Sequence, residues 1–519
     1  MKHTLLLVPT GHGVGLTSAS LALVRALDRQ GVSVGFCKPI GQQRAGDEGP
    51  ERSTTLVSLA SALQPPEPLP LARVEELLVT GDEQRLMEEV VARCESVLGT
   101  ADVVIVEGLV PSTAQTYSTR LNQALARTLD AEVILVGRPA GAAPVDLAET
   151  MAIAGRLYGE GESARVVGGI LNRLIGDPAP WQAALTAAGV RTVGAFPELP
   201  ELGWLRVADL QRQLSLVVLN AGEIGRRIRR VTVLAQSVPG VLAALTPCSL
   251  LITPGDRHDV IMAVCLAALN GVRFAGLLLT AGLPDAAVSE LTAAARATGL
   301  PILAASTNTY DTANRVHELD HEVAADDRER AELVMNRLAD ELDADWLRGL
   351  TATTRGRRLS PPAFRYRLIE RARLANRRIV LPEGDEPRTI RAAVQCQVRG
   401  IARCVLLGEP DAIRAQALAI GAILPEGLEI IDYRSEAARL VPILVELRKI
   451  KGMTEGRAGE ELSDPIMVGT LMLKLGEVDG LVSGAVHTTA HTIRPALQLI
   501  KTAPGSSLVS SVFFMCLPD

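Results

Sequence analysis

Four short segments in the last third of this 519-residue sequence carry residue types that grip anions. Asp479-Gly-Leu-Val-Ser-Gly-Ala-Val-His-Thr-Thr-Ala-His-Thr-Ile-Arg-Pro495 reads as a strand ending in Ser-Gly-Ala, then a helix start rich in hydroxyls. Lys501-Thr-Ala-Pro-Gly-Ser-Ser507 adds a second loop with a cation and hydroxyls. Arg378-Ile-Val-Leu-Pro-Glu-Gly-Asp-Glu-Pro-Arg388 is a strand, an acidic turn and a helix start. Strand-end loops bearing Arg, Lys, Ser and Thr suit a phosphate-bearing ligand. In Val445-Glu-Leu-Arg-Lys-Ile-Lys-Gly-Met-Thr454, Arg448, Lys449 and Lys451 gather at one helix end. Cations there complement the helix dipole, which is reason enough for both lysines. His487 and His491 are spaced to share one helix face and could hold zinc. No Glu lies between them and no third ligand is evident. Hydrogen-bonded or solvent-facing histidines are expected, and no metal is assigned.

A different chemistry is hinted at near the N-terminus. Pro9-Thr-Gly-His-Gly-Val-Gly-Leu-Thr17 lies between an apolar run and a helical pattern. Such turns cradle phosphates because backbone N–H groups converge at a helix N-terminus. A working P-loop also needs a Lys before the Ser/Thr, to neutralise the outer phosphates. Leu16 stands in that place and supplies no charge. The expectation is a retained fold with nucleotide hydrolysis lost.

The elements that must position these residues follow from apolar periodicity. Residues 4–8, 32–36, 103–106, 133–136 and 166–171 read as strands alternating with helices, which implies a mainly parallel sheet. Residues 216–219, 231–234, 249–252 and 276–279 form a second such set, and 378–381, 404–407, 428–431 and 480–483 a third. The expected fold class is α/β, with three consecutive α/β domains at residues 1–205, 206–330 and 363–519. Residues 331–362 are read as a charged surface helix and a linker. An apolar run at 508–517 wants burial on both faces, and nothing after it in the sequence covers it.

Composition narrows the class. Hydrophobic residues make up 47% and aromatics 3%, so the cores must be aliphatic. A net charge of −6 argues against a nucleic-acid or membrane-surface binder. No stretch of about 18 uncharged apolar residues appears. The seven cysteines form no CxxC pair and read as reduced core residues of a cytoplasmic protein.

The motifs also carry resemblances. Val103-Val-Ile-Val-Glu107-Gly108 ends a strand with an acidic residue, where nucleotide-binding relatives hold a metal, and Gly168-Gly-Ile-Leu-Asn172-Arg173 and Gly194-Ala-Phe-Pro197-Glu198 resemble segments of the dethiobiotin-synthetase and cobyrinate-amidase families. Asp256-Arg257 with Thr280-Ala-Gly282 resembles the DRTGG domain type, with Ala281 replacing a glycine, and implies a regulatory or assembly role. From about residue 364 onward the segments quoted above occur in the order and spacing of the phosphate acetyl/butyryltransferase family. The three-domain layout is similar to that family's long bacterial form.

That resemblance implies the reaction acetyl-CoA + phosphate = acetyl phosphate + CoA, in acetate metabolism. An aspartate deprotonates the CoA thiol, the thiolate attacks the acetyl carbonyl, and a serine and an arginine stabilise the developing charge. CoA and phosphate are substrates, and no cofactor or metal is needed. The resemblance assigns CoA or phosphate contacts to Arg388, Arg448 and Arg494, with Ser483 and Thr488 as further candidates. It places the catalytic serine, its adjacent arginine and the aspartate beyond Asp519, so the 519-residue chain itself is expected to have no useful activity. It also implies a homo-oligomer with no nucleic-acid or membrane partner. The competing expectations are a non-enzymatic regulatory or assembly remnant of such an enzyme, and an ATP-dependent amidoligase, which Leu16 opposes.

Overall fold

A computed structural model describes residues 3–42, 49–112, 115–159, 165–282, 290, 293–353, 355 and 358–515. Cys516, the end of the 508–517 run, and Gly356 and Arg357 of the expected linker lie outside the described residues. The chain forms two compact units, Met1–Arg358 and Leu359–Asp519.

The first unit holds two sheets. Strands β1 (His3–Pro9), β2 (Val34–Cys37), β3 (Val103–Glu107), β4 (Glu132–Gly137), β5 (Val166–Leu174) and β6 (Thr192–Pro197) run in the order β2-β3-β1-β4-β5-β6. Every neighbouring pair is parallel. Central strands covered by helices on both faces must be apolar throughout, and every residue of β3 is buried. The helix Leu16–Arg29 lays Leu16, Ala19, Leu23 and Leu27 into this core.

The helix expected within residues 331–362 is not a surface helix. The helix Arg328–Ala339 packs on the Leu16–Arg29 helix, burying Ala331, Val334, Met335 and Leu338 in the same core, and Trp346, Leu347 and Leu350 follow from the helix Ala344–Ala352. The charged residues between these positions mask an apolar stripe at helical spacing.

The second sheet comprises β7 (Val217–Asn220), β8 (Arg230–Val233), β9 (Ser249–Pro254), β10 (Gly276–Thr280) and β11 (Ile302–Ala304), in the order β7-β11-β10-β9-β8. Only β7 runs antiparallel to its neighbour. An ionic knot ties this sheet's first helix. The buried Asp209 accepts from the backbone N–H of Arg206 at 2.9 Å, from its Nη2 at 2.7 Å and from Arg212 Nη2 at 2.7 Å. Burial alone would raise the Asp209 pKa; the hydrogen bonds and charge of the arginines outweigh it and hold the carboxyl below its usual range. A depressed carboxyl stabilises the fold above the unfolded pKa of about 3.9 and loses that contribution as pH falls through the folded value. Urea titrations should therefore show stability falling below about pH 4. Asp209→Asn should be less stable at neutral pH and flatter across that acid range. An unchanged acid slope would exclude Asp209 as its source.

The second unit is built on β12 (Arg378–Leu381), β13 (Arg403–Leu407), β14 (Glu429–Ile431) and β15 (Gly480–Leu481), all parallel in the order β14-β13-β12-β15. Aliphatic clusters cover both faces, one around Leu440, Leu444, Val468 and Leu471, the other around Ile390, Leu406 and Ile413. The described part of the 508–517 run forms no strand, and Leu508, Phe513 and Phe514 are exposed by 82%, 86% and 68%. Among the six described cysteines all are thiols and four are buried. Cys37 and Cys94 meet with Sγ atoms 2.7 Å apart.

Candidate functional site

In the second unit, two strand ends meet. β12 and β15 are parallel neighbours, so the turn after Leu381 and the loop after Leu481 emerge at the same sheet edge. The first is Pro382-Glu-Gly-Asp-Glu386. Gly384 passes so close to β13 that a Cβ there would lie 2.4 Å from the Leu407 carbonyl oxygen, and only glycine fits. Glu386 caps the helix Pro387–Val398, accepting from the N–H of Arg388 at 2.7 Å and Thr389 at 3.0 Å, with proline at the first helical position.

Glu383 organises the second loop. Its carboxylate is 4% exposed and accepts four consecutive backbone N–H groups: Gly484 at 3.0 Å, and Ala485, Val486 and His487 at 2.8 Å each. His487 Nδ1 donates a fifth bond at 2.9 Å. Burial pushes the carboxyl up, but these donors outweigh it and bring it down to about 2. One buried anion thus fixes the conformation of 484–487.

The five sequence candidates divide on this frame. Arg388 does not stand free: its Nη2 donates to the Ala485 carbonyl at 2.6 Å and its Nε to Glu386 at 2.6 Å, so it braces the loop. Arg448 is half-buried behind the helix Thr489–Leu499, donating to Gln498 Oε1 at 2.6 Å with Glu461 at 3.4 Å. Gln498 stands one helical turn beyond Arg494, which brings the two arginines toward one helix face. Arg494 is exposed and makes no hydrogen bond or ion pair among the described residues. Thr488 is the N-cap of that helix, accepting from the His491 N–H at 3.3 Å. Ser483 accepts from Thr492 Oγ1 at 3.4 Å. The arrangement therefore offers one unengaged guanidinium beside a pinned, hydroxyl-lined loop.

Glu383, Gln498 and Asp464 were not singled out from the sequence. Asp464 caps the helix Pro465–Lys474 and also meets His491 Nε2 at 2.6 Å. This supplies the third group that spacing did not reveal beside His487 and His491.

The glycine-rich turn of the first unit is a second candidate. Gly15, at φ 78°, starts the Leu16–Arg29 helix in a conformation that suits glycine. Leu16 is buried in the core cluster and also lines the cavity beside the turn. Of the groups that would hold a nucleotide's metal, Thr17 and Glu107, the carboxylate is instead paired with an ammonium. Lys38 Nζ lies 2.7 Å from Glu107 and 3.1 Å from Glu51, while Ser53 and Ser20 donate to Glu107 at 2.7 and 3.1 Å, and Thr17 at 3.4 Å. Burial alone would lower the Lys38 pKa, and the two carboxylates more than reverse that, so it stays charged. The cluster opens on a cavity of about 1220 Å³ that also touches Trp204 and Arg330. In the second sheet, Arg257 pairs with Asp259 at 2.9 Å, and Thr280 meets Thr309 at 2.7 Å at the neighbouring strand end.

Comparison with known proteins matches residues 363–519 to the phosphate acetyl/butaryl transferase family, 3–206 to an AAA domain and 209–319 to the DRTGG domain. The phosphate acetyltransferase of Pseudomonas aeruginosa is 48% identical over 537 aligned residues, covering 100% of this chain and 76% of that protein. The phosphate acetyltransferase of Escherichia coli is 45% identical, covering 100% of this chain and 77% of that protein. Among solved structures, the EutD phosphotransacetylase of Staphylococcus aureus is 38% identical over 27% of this chain and 43% of its own, with a TM-score of 0.26. Identity of this order along the whole chain, with the family's C-terminal domain at 363–519, places the chain in the phosphate acetyltransferase family.

Proposed function

We propose that the protein transfers an acetyl group reversibly between CoA and inorganic phosphate, with acetyl-CoA, CoA, phosphate and acetyl phosphate as its partners. The observation that carries this reading is the whole-chain identity with phosphate acetyltransferases. The geometry of the second unit supports it: an unengaged Arg494 stands beside a loop whose backbone is already fixed by Glu383, which suits a phosphate-bearing ligand. In the direction of thioester synthesis, the CoA S–H proton passes to a base. The sulfur then bonds to the acetyl carbon, and the carbon–oxygen bond to phosphate breaks. Phosphate leaves with the bonding electron pair. Nothing in that balance requires a cofactor.

The reading includes a cytoplasmic homo-oligomer without nucleic-acid or membrane partners. Its support is the net charge of −6, the exposed apolar residues between 508 and 515, and the fact that no described helix is long and apolar enough to cross a membrane. The first domain is read as a nucleotide-hydrolase fold without hydrolysis, because Leu16 stands where a phosphate-binding lysine is needed and the Glu107 carboxylate is already paired with Lys38.

The test is thioester formation from acetyl phosphate and CoA. It should be run on the 519-residue chain and on a version extended by the roughly one quarter of the Pseudomonas aeruginosa relative that this chain does not cover. Activity in the extended protein alone supports the expectation that the 519-residue chain itself has no useful activity. Activity in neither sinks the functional reading. In the active form, Arg494→Ala should lower kcat/KM about tenfold or more, since a hydrogen-bonded charge contributes about 1.5–3 kcal/mol. Arg494→Lys should restore little of it if the grip is two-pronged.

A further inference from the structure

We propose that Asp464, His487 and His491 form a binding site for one divalent transition-metal cation of the zinc class. One donor atom from each residue lies within 4.8 Å of the other two. The donors come from separate places, the N-cap of the helix Pro465–Lys474 and the loop and first turn leading into Thr489–Leu499, so the ion would clasp two elements.

The histidines are set up as ligands. His487 gives its Nδ1–H to the buried Glu383 carboxylate, which fixes the ring and leaves Nε2 as the lone-pair nitrogen. A carboxylate behind a histidine in this way is the usual orienting partner of a metal-bound imidazole. The His487 and His491 rings lie with centroids 4.7 Å apart. His491 Nε2 and Asp464 Oδ2 are 2.6 Å apart, closer than two ligands of one ion. Ligands of a tetrahedral zinc stand about 3.4 Å apart at bond lengths near 2.1 Å. Side-chain rotation of about 1 Å therefore suffices to admit the ion. His491 is exposed and free to make it.

Two imidazoles and a carboxylate favour zinc, cobalt or nickel over magnesium or calcium, which prefer oxygen ligands alone. Three protein ligands leave a fourth position open to solvent. The site adjoins the candidate ligand loop, and the atom balance of acetyl transfer needs no metal. Its effect is to fasten the first turn of the Arg494 helix to Asp464.

The test is direct titration of the full chain with Zn2+ against a chromophoric chelator, with Co2+ as a spectroscopic probe. The expected result is one ion per chain, weakened about tenfold or more in His491→Gln and in His487→Gln. Bound Co2+ should show d–d bands of nitrogen and oxygen ligation without a sulfur charge-transfer band. Because His491 is exposed, His491→Gln should keep the wild-type circular dichroism. Equal affinity in the wild type and both variants overturns the proposal, as does a sulfur charge-transfer band, which would put the ion on cysteines. Failure to bind Zn2+ at micromolar concentration also overturns it. None of these readouts depends on catalytic activity.

Discussion

Glu383→Gln should destabilise the second unit by about 3 kcal/mol or more, the scale for breaking a buried ionic or charge-assisted network. The substitution keeps size and shape but removes the charge. A carboxylate offers two oxygens to five donors, whereas an amide offers one oxygen and turns an N–H₂ group toward N–H groups it cannot accept from. The loop 484–487 would lose its anchor, and Arg388, which holds the Ala485 carbonyl, would hold a mobile partner. Urea unfolding measures the stability loss, and amide hydrogen exchange at residues 484–487 localises it. In an active form of the protein, KM for CoA or phosphate should rise as well. Exchange at these amides as slow as in the wild type would show that the carboxylate is not what holds the loop.

Lys38→Met should have an effect of similar size in the first unit, through the opposite imbalance. Removing the ammonium leaves Glu51 and Glu107 buried together without compensation, at a cost of about 3–5 kcal/mol. The melting temperature of the first unit reads this directly. The double variant Lys38→Met/Glu107→Gln should recover part of the loss by removing one of the two stranded charges. A double variant no better than the single one would mean that the lysine stem's packing, not its charge, is what matters. The same arrangement gives a clean negative expectation. Leu16→Lys alone should not produce nucleotide hydrolysis, because the Glu107 carboxylate stays paired with Lys38 and position 16 is buried in the core.

The strands were legible because parallel sheets buried on both faces require unbroken aliphatic runs, and β1, β3 and β13 are such runs. β11 was not, because three residues after a proline give no period to read. The helix Arg328–Ala339 was legible as a helix but not as core, since eight of its residues are charged, polar or small and its partner lies some 300 positions earlier. The site shows the same divide. Arg388, Arg448, Arg494, Ser483 and Thr488 could be named from types and motifs. That Arg388 braces a loop while Arg494 stands open depends on which strand ends are neighbours. Glu383 lies inside a quoted motif, yet its role appears only when β15 is placed beside β12. Asp464 carries no local signal toward His491, because 26 residues separate it from that partner.

The packing of Arg328–Ala339 on Leu16–Arg29 makes the second sheet an insertion within the first domain: the chain leaves that domain after β6, builds another sheet, and returns to close the first. During synthesis, the Leu16–Arg29 surface must therefore wait for a segment about 300 residues downstream, roughly 15–60 s at the usual rates of chain elongation. In that interval an aliphatic helix face lacks its cover. The order of closure, rather than the order of the sequence, decides when the first domain becomes whole, and a fragment cut at residue 205 would carry the sheet without its lid.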